Sequence, residues 1–101
     1  MEILKKLALQ VADDLAKVGA AHIVMENIKI DIRKHKDAKN KFIFTITDLD
    51  DNLIFEYYTS LDKLEYDIVG ITELALDYNV GEEDAKFLGY IIEAWYYGEI
   101  K

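Results

Sequence analysis

The chain of 101 residues carries a formal net charge of −8, is 51% hydrophobic and contains no cysteine and no proline. That apolar content excludes a disordered chain, no apolar run approaches the roughly 20 residues of a membrane-spanning helix, and the lack of cysteine excludes disulfides and thiolate catalysis. The length suits one core rather than two. We therefore expect a single soluble domain over residues 1–101 in the cytoplasm, either of a cell or of an infected host.

The N-terminal segment predicts an amphipathic helix from about Glu2 to Val18. Gly19 follows directly, at the position where a C-terminal cap is expected to take a positive φ. Asp13 and Asp14 interrupt the apolar residues, so the segment is interpreted as a helix of the domain and not as a signal peptide. The apolar residues recur at steps of three and four, the period of one helical face, and they are Leu4, Leu7, Ala8, Val11, Leu15 and Val18.

Three strands are predicted next, because hydrophobic and polar residues alternate there. Glu26 and Asn27 interrupt the alternation in the first strand and indicate a bulge or a bend. Short polar loops between the strands predict an antiparallel meander. The strands are expected within 21–34, at 41–47 and at 53–58, and the residues expected to face the core are Ile28, Ile30, Ile32, Phe42, Phe44, Ile46, Leu53, Phe55 and Tyr57.

Two further helices are predicted after the strands. Ser60 is a natural N-cap for the first of them, and the segment 79–81 separates the two helices. The resulting order α-β-β-β-α-α predicts an α+β fold in which helices cover one face of a three-stranded antiparallel sheet. The apolar residues of the first of these helices step by three or four, and they are Leu61, Leu64, Ile68, Ile71, Ala75 and Tyr78.

Side chains suited to catalysis are scarce. The sequence contains one serine, two histidines and one arginine. Ser60 is expected to cap a helix and has no histidine near it in sequence to act as its base. His22 lies in the first predicted strand and His35 lies among lysines, so both are interpreted as structural or solvated residues. We expect no enzymatic activity and no cofactor.

The segment 48–52 carries the D-x-D-x-N spacing that opens a calcium-binding loop. Such a loop needs glycine at its sixth position and a bidentate glutamate at its twelfth. Those positions are Leu53 and Thr59, so the segment is interpreted as a hairpin turn, rich in residues that hydrogen-bond their own backbone. We expect no metal site there.

The charge is unevenly placed along the chain. Residues 1–41 hold nine Lys/Arg and six Asp/Glu, a net of +3, and residues 42–101 hold three Lys and fourteen Asp/Glu, a net of −11, which together give −8. The acidic part would repel phosphates, so direct nucleic-acid binding is not expected. The basic residues of the first predicted hairpin are Lys29, Arg33, Lys34, Lys36, Lys39 and Lys41. Two interpretations of them are open: the lysines protect a sheet edge from pairing with another strand, or the cluster binds an anion.

The two C-terminal helices place carboxylates and tyrosines on faces that the core does not need. The bland interpretation is a solvated surface with ordinary amphipathic tyrosines. The functional interpretation is a surface that meets arginine and lysine by ion pairing and cation–π contact. The candidate partner-binding residues are Asp62, Tyr66, Glu73, Asp77, Glu83, Tyr90 and Glu93.

These observations favour a non-enzymatic protein that masks a basic partner protein and contacts neither nucleic acid nor membrane. It would act either as a nucleic-acid mimic, as virus-encoded inhibitors of nucleases and other defence enzymes do, or as an immunity or antitoxin protein. The alternative is a structural homo-oligomer, because the last helix has an apolar arc of roughly 200° that includes Trp95, wider than one buried stripe requires. An enzyme using Asp48 and Asp50 is the third hypothesis.

Overall fold

The computed structural model describes residues 2–34, 41–59 and 64–100, with side chains described over 3–34, 41–59 and 65–97. Within these residues the four strands form one antiparallel sheet in the order β1-β2-β3-β4, accompanied by three helices. The α+β class is therefore confirmed, but the three-stranded sheet was wrong. The elements are α1 (Glu2–Val18), β1 (Ala20–Val24), β2 (Ile28–Lys34), β3 (Phe42–Asp48), β4 (Leu53–Tyr58), α2 (Leu64–Asp77) and α3 (Glu82–Ile100).

Strand β1 is the element that the sequence prediction missed. The expected first strand is a hairpin, in which β1 pairs with β2 and the Met25 N–H donates to the Ile28 carbonyl at 2.8 Å. Glu26 and Asn27 form the turn, and neither has a positive φ. The turn thus lacks the glycine or Asn-Gly signature of the commonest two-residue hairpins. Because the chain reverses here, Val24 lies exposed instead of continuing the buried face of β2.

The helices cover one face of the sheet. Buried and half-buried or exposed positions alternate along β2 and β3, as expected for strands with one wet face. Helix α3 packs between α1 and α2. The wide apolar arc of α3 is therefore needed within the molecule, because it meets a helix on each side as well as the core. Its buried residues are Ala85, Phe87, Leu88, Ile91, Ile92 and Trp95.

One inward residue of the predicted meander was assigned to the wrong face. Leu53 is 59% exposed, although it shares the parity of buried Phe55. The pairing explains this, because Ile46 lies opposite Phe55 and the next residue, Thr47, lies opposite Leu53, which leaves Ile54 as a bulge. The extra residue reverses the side-chain alternation. Tyr57 keeps its predicted inward orientation and is half-buried.

Helix α1 ends at the predicted cap, and helix α2 ends in a cap that the sequence analysis did not assign. Gly19 has a φ of 80° and its N–H donates to the Leu15 carbonyl at 2.9 Å. Asn79 has a φ of 59° and its N–H donates to Leu76, while the Val80 N–H donates to Ala75, which is the paired bonding of a Schellman cap. The predicted start of α2 at Ser60 and Leu61 lies outside the described residues. Two residues predicted on apolar stripes, Val18 and Tyr78, are exposed at their helix ends.

Candidate partner-binding surface

Helix α2 carries three of the predicted site residues on its outer side. Tyr66, Glu73 and Asp77 are exposed, with Tyr66 at 69%. On a helix these positions lie opposite the buried Ile71 and Ala75. The structure therefore brings the α2 part of the predicted site together on one accessible face. Asp62 lies outside the described residues, and its place in the site stays a prediction.

Contacts with β4 fix the orientation of α2. The Tyr57 hydroxyl donates to Asp67 Oδ1 at 3.0 Å, and Asp67 is only 5% exposed. Burial raises the pKa of Tyr57 from its ordinary 10.0 to about 12, and the hydrogen bond to Asp67 and the negative charge of that carboxylate contribute to the same shift. Gly70 lies against the same hydroxyl, since a Cβ at that position would be 2.7 Å from it. Gly70 shares a helical stripe with Tyr66, Glu73 and Asp77, at spacings of four, three and seven residues, so the contact with Tyr57 borders the predicted site.

The α3 part of the predicted site is less uniform. Glu83 and Glu93 are exposed, but ten residues separate them, about 15 Å along a helix. Tyr90 is half-buried, and the Lys5 ammonium of α1 lies 5.4 Å from the centre of its ring. Tyr90 thus contacts a cation of its own chain. Glu83 and Glu93 are the α3 residues of the prediction that offer carboxylates to an external partner.

Negative charge dominates the exposed side chains of α2 and α3. In the described residues of these helices one exposed lysine, Lys86, stands among the exposed carboxylates, and its ammonium lies 3.4 Å from Glu82. Burial, with the nearby charges of Glu83 and Glu26, raises the pKa of Asp84 above its ordinary value. The acidic region therefore continues past the start of α3 to the β1–β2 turn. The six exposed acids are Glu65, Glu73, Asp77, Glu82, Glu83 and Glu93.

Two exposed apolar residues lie on α2 beside the acidic ones, and sequence reasoning did not include them in the site. Val69 and Leu76 are both about half exposed. Ile68 and Thr72 face Gly89 of α3. Helical geometry therefore places Val69 and Leu76 between the side of α2 that faces α3 and the side that carries Tyr66, Glu73 and Asp77. The helical wheel could have revealed them, since neither belongs to the buried stripe. We call the outer side of α2 together with exposed α3 the acidic helical face; its described residues are Glu65, Tyr66, Val69, Glu73, Leu76, Asp77, Glu82, Glu83 and Glu93.

The turn with calcium-like spacing uses its carboxylate internally. Asp48 Oδ1 accepts the backbone N–H groups of Asp50 and Asn52 at 2.8 and 2.9 Å, and Oδ2 accepts the Asn52 side-chain amide at 3.1 Å. The bonds from the Asn52 backbone and side chain, with a smaller contribution from Asp50 and Lys29, hold the pKa of Asp48 below its ordinary value. Among the described residues no group of three or more His, Asp or Glu is arranged to hold a metal ion.

Two of the basic residues of the first predicted hairpin, Lys29 and Arg33, do not guard a sheet edge. Lys29 and Arg33 lie on β2, which is an interior strand because β1 pairs with its other side. Lys29 contacts Asp51 at 2.8 Å and Arg33 contacts Asp31 at 3.0 Å. The remaining members of the cluster are Lys34 and Lys41, which are exposed, and Lys36 and Lys39, which lie outside the described residues together with His35.

Comparison of the chain with protein-family models, with curated proteins and with solved structures found no match. None of the described helices combines the length and the apolar character that crossing a bilayer requires. The functional argument therefore depends on the surface described above.

Proposed function

We propose that this chain is a non-enzymatic interaction protein whose acidic helical face binds and masks a basic partner protein in the cytoplasm of a cell or of an infected host. The observation that carries the proposal is the composition of that face. Six exposed carboxylates stand against one exposed lysine on the described parts of α2 and α3, and that lysine lies close to Glu82. Such a surface attracts basic partners and repels phosphates.

The apolar and aromatic residues of the face add to this support. A surface that serves only solubility needs charge, whereas Val69, Leu76 and Tyr66 expose area that gains free energy when a partner covers it. Tyrosine among carboxylates can also stack on an arginine that the carboxylates pair with. The combination of a charged rim with exposed apolar area matches the anatomy of protein–protein interfaces.

The proposal takes two concrete forms that share this chemistry. As a nucleic-acid mimic, the chain places carboxylates where a nuclease or another defence enzyme expects phosphates. As an immunity or antitoxin protein, it covers a basic toxin. The alternative was a homo-oligomer assembled through the apolar arc around Trp95. That arc is buried between α1, α2 and the sheet, so its width is no longer a reason to expect a second copy there. A dimer through α3 would have to use exposed residues such as Tyr97.

The first experiment captures the partner and tests how it is held. The chain is immobilised, exposed to native lysate and eluted with a salt gradient. We expect a basic protein that leaves at moderate salt, because counterions screen exposed charges. Duplex DNA is then added to the captured complex. Displacement by DNA supports the mimic, and retention with loss of the partner's toxicity supports the immunity protein. Failure to retain any basic protein contradicts both forms.

A further inference from the structure

The outer edge of β1 presents backbone groups that no strand in the described residues pairs with. The Met25 N–H donates to Ile28 and the Lys34 N–H donates to Gly19. Bonded and non-bonded residue pairs alternate in an antiparallel ladder. The register therefore directs the backbone groups of Ala21 toward β2, while the N–H and C=O groups of the alternate residues point away from the sheet. These outward residues are Ala20, His22 and Val24, and all three are exposed.

This edge lacks most of the devices that prevent pairing with another strand. Natural edge strands carry lysine, proline, inward charges or bulges. The residues of β1 are Ala-Ala-His-Ile-Val, and its shortness is its one protective feature. The other edge strand, β4, differs. There the Thr59 N–H bonds to Phe42, so the same alternation turns the backbone of Glu56 outward with its exposed carboxylate, and Ile54 forms a bulge. The two edges are therefore protected unequally.

We propose that β1 pairs with β1 of a second copy of this chain, antiparallel and about a two-fold axis at His22. The spacing is self-complementary. His22 lies opposite His22 of the second copy and Ala20 lies opposite Val24, all in bonded positions. Each copy contributes three N–H groups and three carbonyls, so six hydrogen bonds form. Two four-stranded sheets become one continuous sheet, which is the isologous contact that a two-fold dimer requires.

Side chains on both faces suit this pairing. On the helix-covered face, Ala21 of one copy lies opposite Ile23 of the other, and both are half-buried residues that already pack against the core. Pairing would cover part of their remaining area. On the open face, Ala20 lies beside Val24, which is 60% exposed. His22 is the only β1 residue able to carry charge, and its Nδ1 lies 3.7 Å from Asp31.

Salt separates this dimer from binding at the acidic helical face. Each copy carries a net charge of −8, so two copies repel one another at low ionic strength, and screening that repulsion strengthens the dimer. Binding of a basic partner weakens with salt for the same reason. The two interfaces lie on different elements. Either proposal can therefore fail while the other stands.

The experiment is sedimentation velocity of the whole chain over rising concentration, at low and high salt. We expect the mass to rise from 11.7 kDa toward twice that value, at lower concentration in high salt. His22→Lys should lower the association constant about tenfold or more, because it places two ammonium groups in a bonded pair whose Cα atoms are about 5.5 Å apart. Thr45→Lys is the matched control. It adds the same charge in the same cross-strand row, two strands from the edge, and should leave association unchanged.

Amide hydrogen exchange identifies the interface directly. At low concentration the amides of Ala20, His22 and Val24 should exchange fast and that of Ile23 slowly. At high concentration all should be protected. His22→Val keeps the backbone groups and adds a strand-favouring side chain, so this variant should dimerise at least as well as the wild type. A chain that stays monomeric at every concentration overturns the proposal, and so does a dimer that His22→Lys leaves intact.

Discussion

The contact between α2 and β4 predicts an unusual outcome for Gly70→Ala. Replacing glycine by alanine inside a helix ordinarily stabilises a protein by about 1 kcal/mol. Here the new Cβ would lie 2.7 Å from the Tyr57 hydroxyl and 3.3 Å from two carbons of its ring. The ring has to move, and its hydroxyl donates to the buried Asp67 carboxylate at 3.0 Å. Gly70→Ala should therefore weaken a hydrogen bond to a charged group.

The two effects have opposite signs, and their sizes decide the result. Losing a hydrogen bond to a charged group costs about 1.5–3 kcal/mol, against the gain of about 1 kcal/mol in helix propensity. Gly70→Ala should lower the free energy of unfolding by about 0.5–2 kcal/mol. In a Tyr57→Phe background the hydroxyl is absent, so the same substitution should be neutral or stabilising.

Urea denaturation of the wild type, the two single variants and the double variant measures this coupling. Tyr57→Phe serves as the matched background, because it removes one oxygen and leaves the ring. If Gly70→Ala stabilises the wild type and the Tyr57→Phe protein equally, by about 1 kcal/mol, then Tyr57 does not lie against α2. The account of how that helix is oriented would then be wrong.

Three further predictions concern stability. Trp95 is 4% exposed, and its ring centre lies 4.5 Å from that of Phe42. Trp95→Ala should therefore lower the free energy of unfolding by about 3–5 kcal/mol. A melting temperature within a few degrees of the wild type would contradict the core position of Trp95. The folded-state pKa of Tyr57 lies above its ordinary value, so the stability that its neutral hydroxyl contributes is complete below pH 10 and should decline toward pH 12. Denaturation of the wild type and of Tyr57→Phe at a series of alkaline pH values checks this. Asp48 has a lowered pKa in the folded protein, so its contribution should be present above about pH 4 and fall on acidification. Denaturation of Asp48→Ala over acidic pH values should show a smaller loss of stability on acidification than the wild type shows. An equal loss in both proteins would refute the prediction.

Much of the fold follows from periodicity, and the errors have local causes. Helix α1 and strand β3 have strong patterns, and their predicted positions hold. Strand β1 was missed because its turn at Glu26-Asn27 uses residues with ordinary backbone angles, which leave no glycine signal. Leu53 was assigned to the core because a bulge depends on pairing with β3, which the alternation of one strand does not reveal.

The predicted surface was recovered in part for similar reasons. Tyr66, Glu73 and Asp77 share a face because helical period alone decides that. Tyr90 was predicted as a partner-binding residue, yet it lies against Lys5, more than eighty positions away in the chain. A contact of that range depends on how α1 packs beside α3. The edge character of β1 was hidden for the same reason, since it follows from the strand order of the sheet.

The central claim is that the acidic helical face, and not net charge alone, binds a basic partner. Two triple variants make the comparison. Glu73→Lys, Asp77→Lys and Glu93→Lys reverse the face, whereas the control reverses three exposed acids elsewhere. Each reversal adds two charges, so both variants move the net charge from −8 by +6 to −2. Exposed substitutions change stability by about 0.5 kcal/mol, and circular dichroism verifies folding. The control positions are Asp13, Asp14 and Glu56.

The decisive measurement is the affinity of each variant for the captured basic partner, by calorimetric titration at low and high salt. The account predicts that the face variant loses binding at least about a hundredfold, in keeping with several exposed charge pairs at one interface. The control should stay within a few-fold of the wild type, and wild-type affinity should fall as salt rises. Equal loss in both variants would mean that net charge alone governs binding, and undiminished binding by the face variant would contradict the proposed function.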